Sequence, residues 1–432
     1  MEPFVLPESF LLGTATSAFQ IEGGDRNNSW YRWAQTGHIK DGTSCIVADD
    51  HWNRIPEDIA LMVQLHQQTY RMSIEWSRIE PERGRYDEDA MEHYHSEIQQ
   101  LVGAGIKPLV TLHHFSNPLW LEDNGGWINP EVVTLFESYT DYVVRHLGDL
   151  VSDWCTINEP NVYLVNGYLA GGWPPNDTSP ISYFRGARHM ILAHIKAYQK
   201  IHEIRAVQGH DDTKVGTANH LSLFDPLHDT LRERWAAAVY ERFFQNIFIA
   251  GACEGKLLPP VGNGYPAGKG CYCDFFGINY YRRQIVNCAG ALTAPMGKLE
   301  TSPDSEKNDL GWEIYPEGLY RICKKYWDRY HIPIFITENG VADAQDTLRA
   351  RYIYDHLFQV HRLIDEGVDV QRYYHWSLMD NFELLEGLGT RFGIIAVDYA
   401  TLERTIRTSG WFYADLIRNH GVTRKMIQQY LS

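Results

Sequence analysis

The chain has 432 residues, 44% of them apolar and 22% charged, which is ample to bury a large core in a globular protein. Its formal charge of −16 argues against nucleic acid or an anionic membrane as partner, because both would repel it. Seven cysteines is an odd number, so a complete disulfide framework is excluded, and Cys271 and Cys273 lack the paired spacing of a zinc site.

At the start, Met1 to Glu8 offer neither a basic n-region nor an apolar h-region, and no later apolar run approaches the span of a membrane helix. A cytoplasmic protein is expected, so the sequons at Asn27 and Asn176 carry no weight. Short β-branched or apolar runs then recur, ending near Gln20, Glu75, His114, Asn158, His220, Tyr281, Glu338 and Ser377. Between them lie stretches of helical periodicity. Ile59, Met62, Val63 and His66 form one stripe, and Met91, Tyr94, Ile98, Leu101 and Val102 another. Alternation at this spacing predicts parallel βα units, and eight of them close into an α/β fold, a (β/α)8 TIM barrel.

Such barrels typically need roughly 250 residues, so the excess is assigned to extended βα loops. No linker or low-complexity tract divides the chain, and residues 1–432 read as a single catalytic barrel domain. Two irregular stretches, 251–270 and 287–308, flank the sixth strand and read as loop insertions. The rival layout, a doubly wound open sheet, wants a G-x-G-x-x-G turn that Gly13-Thr-Ala-Thr-Ser17 does not supply.

Most of these strand-like runs end in a side chain able to bond a sugar or move a proton: Gln20, Arg71 and Glu75, His114, Asn158 and Glu159, Asn279 and Tyr281, Glu338, Trp376. In a barrel the C-terminal strand ends share one rim, so residues distant in sequence meet at one pocket. Glu159 in Thr156-Ile-Asn-Glu-Pro160 and Glu338 in Ile336-Thr-Glu-Asn-Gly340 each end an apolar strand and precede a chain breaker. Opening an acetal needs a proton for the leaving oxygen and negative charge at the anomeric carbon; paired carboxylates supply both. Asn158 is suited to hold a sugar 2-hydroxyl, and Arg71 and Tyr281 to keep the second carboxylate ionised. A non-catalytic sugar binder would have no need of two opposed acids.

These residues lie in peptides that resemble family 1 glycoside hydrolases, the β-glucosidase family, over essentially the whole chain. The matching segments are 10–23, 70–79, Thr156-Ile-Asn-Glu-Pro160, Ile336-Thr-Glu-Asn-Gly340 and His375-Trp-Ser-Leu-Met-Asp-Asn-Phe-Glu383. The resemblance implies a retaining β-glycosidase releasing terminal β-D-glucosyl residues, with galactosyl and fucosyl residues also accepted. Glu338 would be nucleophile and Glu159 acid/base. Gln20, His114, Asn158, Trp376 and Glu383 would bind the sugar, while Arg71, Asn279 and Tyr281 support the carboxylates. A cis peptide between Trp376 and Ser377 is implied as well. No cofactor or metal is expected. The partners would be small β-glycosides or short oligosaccharides, and the oligomeric state is left open.

The chain also departs from the family. Leu384 stands where a Trp whose N–H bonds a sugar hydroxyl is usual, so discrimination around that hydroxyl should be weaker. His113-His114-Phe115 replaces a common His-Trp, and Asn161 replaces a frequent aromatic, which predicts a less stacked aglycone side. A phosphosugar specificity is disfavoured, because Glu383 would repel a phosphate and no Lys lies in 383–391; Arg391 reads as a structural ion pair. Among Trp127, Trp173 and Trp312, all in predicted loops, Trp312 is assigned to the aglycone channel.

Overall fold

The fold is taken from a computed structural model that describes residues 1–289 and 296–431. Eight parallel strands close into a barrel: β1 (Leu11–Ala15), β2 (Thr69–Ser73), β3 (Lys107–His113), β4 (Asp153–Asn158), β5 (Lys214–His220), β6 (Phe276–Asn279), β7 (Ile334–Asn339) and β8 (Val370–Trp376). Each pairs with its sequence neighbour, and β8 returns to β1 through Arg372 opposite Leu11 and Trp376 opposite Ala15. The eight runs foreseen from the sequence are these strands.

Helices fill the gaps. They include α1 (His51–Gln64), α2 (Glu88–Gly103), α3 (Val132–Leu147), α4 (Pro160–Tyr168), α5 (Pro180–Val207), α6 (Leu231–Glu241) and α7 (Ile247–Glu254). α8 (Pro316–Tyr330), α9 (Arg349–Asp365) and α10 (Thr408–Asn419) complete the outer ring. Start signals are visible locally: Asp87 accepts from the N–H of Ala90, Ser179 from that of Ser182, and proline opens α4, α5 and α8. No helix among the described residues is long and apolar enough to cross a membrane.

Several expectations shift in detail. β1 stops at Ala15, and Gln20 sits instead on a short helical turn, Ala18–Ile21. In α1 the inward face is Ile55, Ile59 and Met62; Val63 is half exposed and His66 exposed, because the stripe lies one residue earlier than the sequence suggested. Val102 likewise turns outward from an otherwise buried stripe in α2. Of the stretch 251–270, the first four residues complete α7. Of 287–308, the described part carries Lys298–Glu300 antiparallel to Arg283–Asn287, which also pairs with Leu223–Pro226 after β5. Residues 290–295 of that stretch lie outside the described residues.

The barrel interior is graded along its axis. At the N-terminal end of the strands Arg372 pairs with Asp153 and lies 4.4 Å over the Phe335 ring, which stacks at 4.2 Å on Phe275. Leu109, Cys155, Ala218 and Tyr374 pack into the same cluster. Above them come Arg71, Asn158, Asn279 and Thr337, all with no exposed surface, and then an open cavity. Close packing at this rim leaves no room for a side chain at Gly340, where a Cβ would stand 1.9 Å from the Trp376 carbonyl oxygen. Gly340→Ala is therefore expected to cost about 1–3 kcal/mol through forced backbone displacement. Thermal unfolding checks this, and an unchanged midpoint alongside full activity contradicts it.

Candidate active site

A cavity of about 950 Å³ opens at the C-terminal end of the strands. Gln20, His114, Glu159, Tyr281, Trp312, Glu338, Trp376 and Glu383 all line it. Asn158, Arg71 and Asn279 do not; they form the layer directly beneath. Glu75 lies elsewhere: it is buried, bonded by the Ser77 hydroxyl, and pushed up to about 8 by burial and by Asp25. Its place two residues past the end of β2 removes it from the rim.

Bonds from the lower layer fix the two central carboxyls. Arg71 Nη1 reaches Glu338 Oε1 at 2.5 Å, and the Tyr281 hydroxyl donates to Glu338 Oε2 at 2.7 Å. Both Glu338 oxygens thus accept from donors, which is the pattern of a carboxylate. Glu159 differs. Its Oε1 accepts from Asn279 Nδ2 at 2.8 Å and stands 3.1 Å from His220 Nδ1, which leaves Oε2 free of protein donors. Asn158 ties the two sides together, since its Oδ1 accepts from Arg71 Nη2 at 2.7 Å and from Asn279 Nδ2 at 3.1 Å. Thr337 completes the network by donating to Asn279 Oδ1 at 2.6 Å.

Glu159 also has left-handed backbone, with φ 40° and ψ 59°, immediately before Pro160 starts α4. A bulky residue at positive φ is uncommon and persists only where surroundings fix it. Here the strand before it, the helix after it and the Asn279 bond do so.

Charge crowding shapes titration. Burial raises the Glu338 carboxyl, Arg71 lowers it and Glu159 raises it again, with a net shift to about 7. Burial and Glu338 push Glu383 up to about 8. Burial opposes the charge of Arg71, yet Glu338, Cys155 and Glu159 together outweigh this and hold the guanidinium above its usual value. Burial and mutual repulsion therefore hold Glu338 and Glu383 above the usual carboxylate range, and the donors on both Glu338 oxygens favour the charge resting there.

The remaining groups form the sugar-sized part of the cavity. Asn158 Nδ2 donates to His114 Nε2 at 3.0 Å, so the His114 proton sits on Nδ1, which has no protein partner. Burial and Arg71 hold that ring well below its usual pKa, hence neutral. His114 stacks 5.8 Å from Trp376, whose peptide bond to Ser377 is cis. The Gln20 amide is braced by Asn381 Oδ1 at 3.0 Å and the Phe382 carbonyl at 2.8 Å. Leu384, with φ 54°, lines the wall beside Glu383. Of the three loop tryptophans, Trp312 and Trp173 line the cavity, while Trp127 is fully buried against Asn117 and His113. Trp312 meets Tyr281 edge-on at 5.9 Å, with the Arg282 guanidinium 4.9 Å over its ring.

One of the departures reads differently in three dimensions, and the expectation for Arg391 is met. Asn161 is buried and spends its amide on the His220 carbonyl at 2.7 Å, so it pins a loop and is no part of the aglycone wall. Arg391 pairs with Asp380 and covers Tyr399, as a structural ion pair should. His220 is the residue the sequence reading overlooked. It ends β5, where the rim argument points, but it carries no motif of its own. Its ring stacks 5.8 Å from that of Tyr281, the Glu338 partner, while its Nδ1 faces Glu159.

A family model described as glycosyl hydrolase family 1 matches residues 3–259 and 269–422. β-Glucosidase A of Thermotoga maritima is 34% identical over 96% of this chain and 98% of its own length. Among solved structures, a β-glycosidase from Pyrococcus horikoshii superposes with a TM-score of 0.90 at 37% identity, covering 99% of this chain and 98% of that one. A β-glucosidase from Thermotoga maritima in complex with glucoimidazole gives 0.89 at 33% identity, covering 97% and 100%. The family match spans nearly all of the barrel and its two carboxylate peptides, and on that ground the chain belongs to glycosyl hydrolase family 1.

Proposed function

We propose that this β-glycosidase releases terminal non-reducing β-D-glucosyl residues, and galactosyl and fucosyl residues as well, by double displacement. The observation that carries the reading is the unequal bonding of the two carboxyls. Glu338 accepts at both oxygens and is assigned as nucleophile; Glu159 keeps one oxygen free for a proton and is assigned as acid/base. In the first step the Glu338 carboxylate bonds the anomeric carbon as the bond to the aglycone oxygen breaks, and that oxygen takes the proton from Glu159. In the second, Glu159 removes a proton from water, the water oxygen bonds the anomeric carbon, and Glu338 leaves. Two inversions restore the β configuration. The scheme needs neither metal nor cofactor.

The supporting roles follow from position. Arg71 and Tyr281 keep Glu338 charged and aimed, and Asn279 holds Glu159. Gln20, His114, Trp376 and Glu383 bind the sugar, with Asn158 using its remaining amide N–H from below. Trp312 borders the aglycone. Leu384 presents no donor, which supports a glycone site tolerant of change at the hydroxyl beside it. His220 is a positioning residue: donation from Nδ1 adds to that of Asn279 on Oε1 and leaves the transferable proton on Oε2.

Release of nitrophenol from nitrophenyl β-glucoside tests the assignment. Glu338→Gly should lose hydrolysis and, given azide, form the α-glycosyl azide; equal release by wild type and Glu338→Ala would end the reading. Glu159→Ala should slow alkyl glucosides by about 10²–10⁴-fold while sparing activated aryl ones, since a good leaving group needs little protonation. His220→Phe should lower kcat for alkyl glucosides roughly tenfold relative to dinitrophenyl glucoside, within the same range for proton transfer. A uniform loss across both classes would reduce His220 to a packing role. For Leu384→Trp, relative kcat/KM among glucosides, galactosides and fucosides should spread apart, and an unchanged pattern would show that this wall does not read the sugar.

A further inference from the structure

Away from the active site, three of the seven cysteines gather at the other, N-terminal end of the barrel strands. Cys253 lies at the end of α7, and Cys271 and Cys273 lie in the run that leads into β6. Two residues further on, Phe275 joins the ring cluster that fills the lower barrel. Backbone bonds hold the run against the helix end: Tyr272 N–H donates to the Ala252 carbonyl at 2.8 Å and Gly270 N–H to that of Glu254 at 3.3 Å. These two bonds bracket Cys253. Its Sγ stands 3.6 Å from Cys273 Sγ, which in turn stands 3.7 Å from Cys271 Sγ. Cys271 is exposed, while Cys253 and Cys273 are buried.

Core packing accounts for a buried thiol, as it does for Cys45, Cys155, Cys288 and Cys323. It does not account for two buried sulfurs in line with a third at the surface. A disulfide needs sulfurs about 2.0 Å apart, so a further approach of about 1.6 Å joins Cys253 to Cys273. That bridge would close a loop spanning 20 residues between a helix and a strand, and cross-linking a long loop removes much freedom from the unfolded chain. A Cys271–Cys273 bridge would span a single residue and stay open to reductant at the surface, which makes it the labile one of the two.

We infer that these three thiols form an oxidisable site at the lower rim of the barrel, which takes a small-molecule disulfide and closes a Cys253–Cys273 bridge. Exposed Cys271 is the entry. Its sulfur attacks one sulfur of the reagent RSSR, the S–S bond breaks, and one RSH leaves with the Cys271 proton. Cys273 then displaces the second RSH from Cys271, and Cys253 displaces Cys271 from Cys273, returning it to the free thiol. Two protein thiols thereby lose two electrons and two protons, and RSSR becomes two RSH. The neighbouring sulfur and burial raise the Cys271 thiol above its usual value, and Cys253 and burial do so for Cys273. Little thiolate is then present at neutral pH, so exchange is slow and the buried bridge, once formed, is slow to reopen. Its place at the lower end, where barrel residues serve stability, makes it a clamp between α7 and β6 rather than a control of catalysis.

The test equilibrates the whole folded chain with glutathione and glutathione disulfide in varied ratio at mildly alkaline pH, then denatures, alkylates and maps it by mass spectrometry. We expect seven alkylated thiols in the reduced protein, two fewer in the oxidised one, and a cross-linked peptide pair carrying Cys253 and Cys273. All seven thiols retained at the most oxidising ratio, glutathione adducts at Cys271 alone, or a Cys271–Cys273 bridge as the stable product overturns the inference. In Cys271→Ser the same bridge should form several-fold more slowly, and formation at the wild-type rate overturns the entry role. Oxidised wild type should unfold about 1–3 °C above the reduced protein, because the closed loop restricts the unfolded chain. Cys253→Ala should show no such gap, and its absence in the wild type overturns the clamp. Both forms should cleave nitrophenyl β-glucoside within about twofold of each other, since the bridge lies at the far end from the two carboxyls. A larger difference overturns the separation of this site from catalysis, and the peptide map holds whatever glycoside the enzyme prefers.

Discussion

The guanidinium of Arg71 is the constraint on which the rest of the site depends. It is fully buried, and a buried charge is tolerated only when paired and hydrogen-bonded. Its partners are Glu338, the Thr337 carbonyl, the Thr111 hydroxyl and Asn158, which come from three other strands of the barrel, β7, β3 and β4. Satisfying one cation therefore draws β2, β3, β4 and β7 into a common register. The same ion pair opposes the burial and the neighbouring Glu159 that together push the Glu338 carboxyl up. Stability of the barrel's upper layer and reactivity of its floor are consequences of one interaction.

From that layer the two acids receive different environments although both end apolar strands. One meets a cation and a phenol; the other meets a neutral amide and a histidine. Division of labour between like groups arises in this way, by the donors each is given rather than by its own chemistry. The gradient below serves the same end. Phe275, Phe335, Leu109 and Tyr374 pack the lower barrel with buried apolar side chains beneath the polar layer.

Much of this was legible beforehand because strand ends in a parallel barrel share one rim. That rule alone brings Glu159, Glu338, His114, Tyr281 and Trp376 together without knowledge of any contact. It fails where a residue near a strand end has slipped off the rim, as Glu75 has, or has turned inward behind a loop, as Asn161 has. It points to the end of β5, where His220 lies, but not to that residue's importance, which rests in a single atom facing Glu159 and which no motif announces. An aromatic cluster on the cavity wall was equally hidden. Phe224 lies in the short strand after β5, Tyr240 near the end of α6 and Phe244 in the helical turn just beyond it, and only the fold brings the three rings together.

The sequence by itself determined the period of strands and helices, the two carboxylate peptides and the family to which they belong, because these are properties of local order: alternation, chain breakers and residue type at fixed spacing. Only the tertiary structure decided which oxygen of which acid is free, and which polar side chains face the cavity and which brace it from beneath. Those depend on distances of a few ångströms between residues a hundred or more positions apart, and no local pattern encodes them.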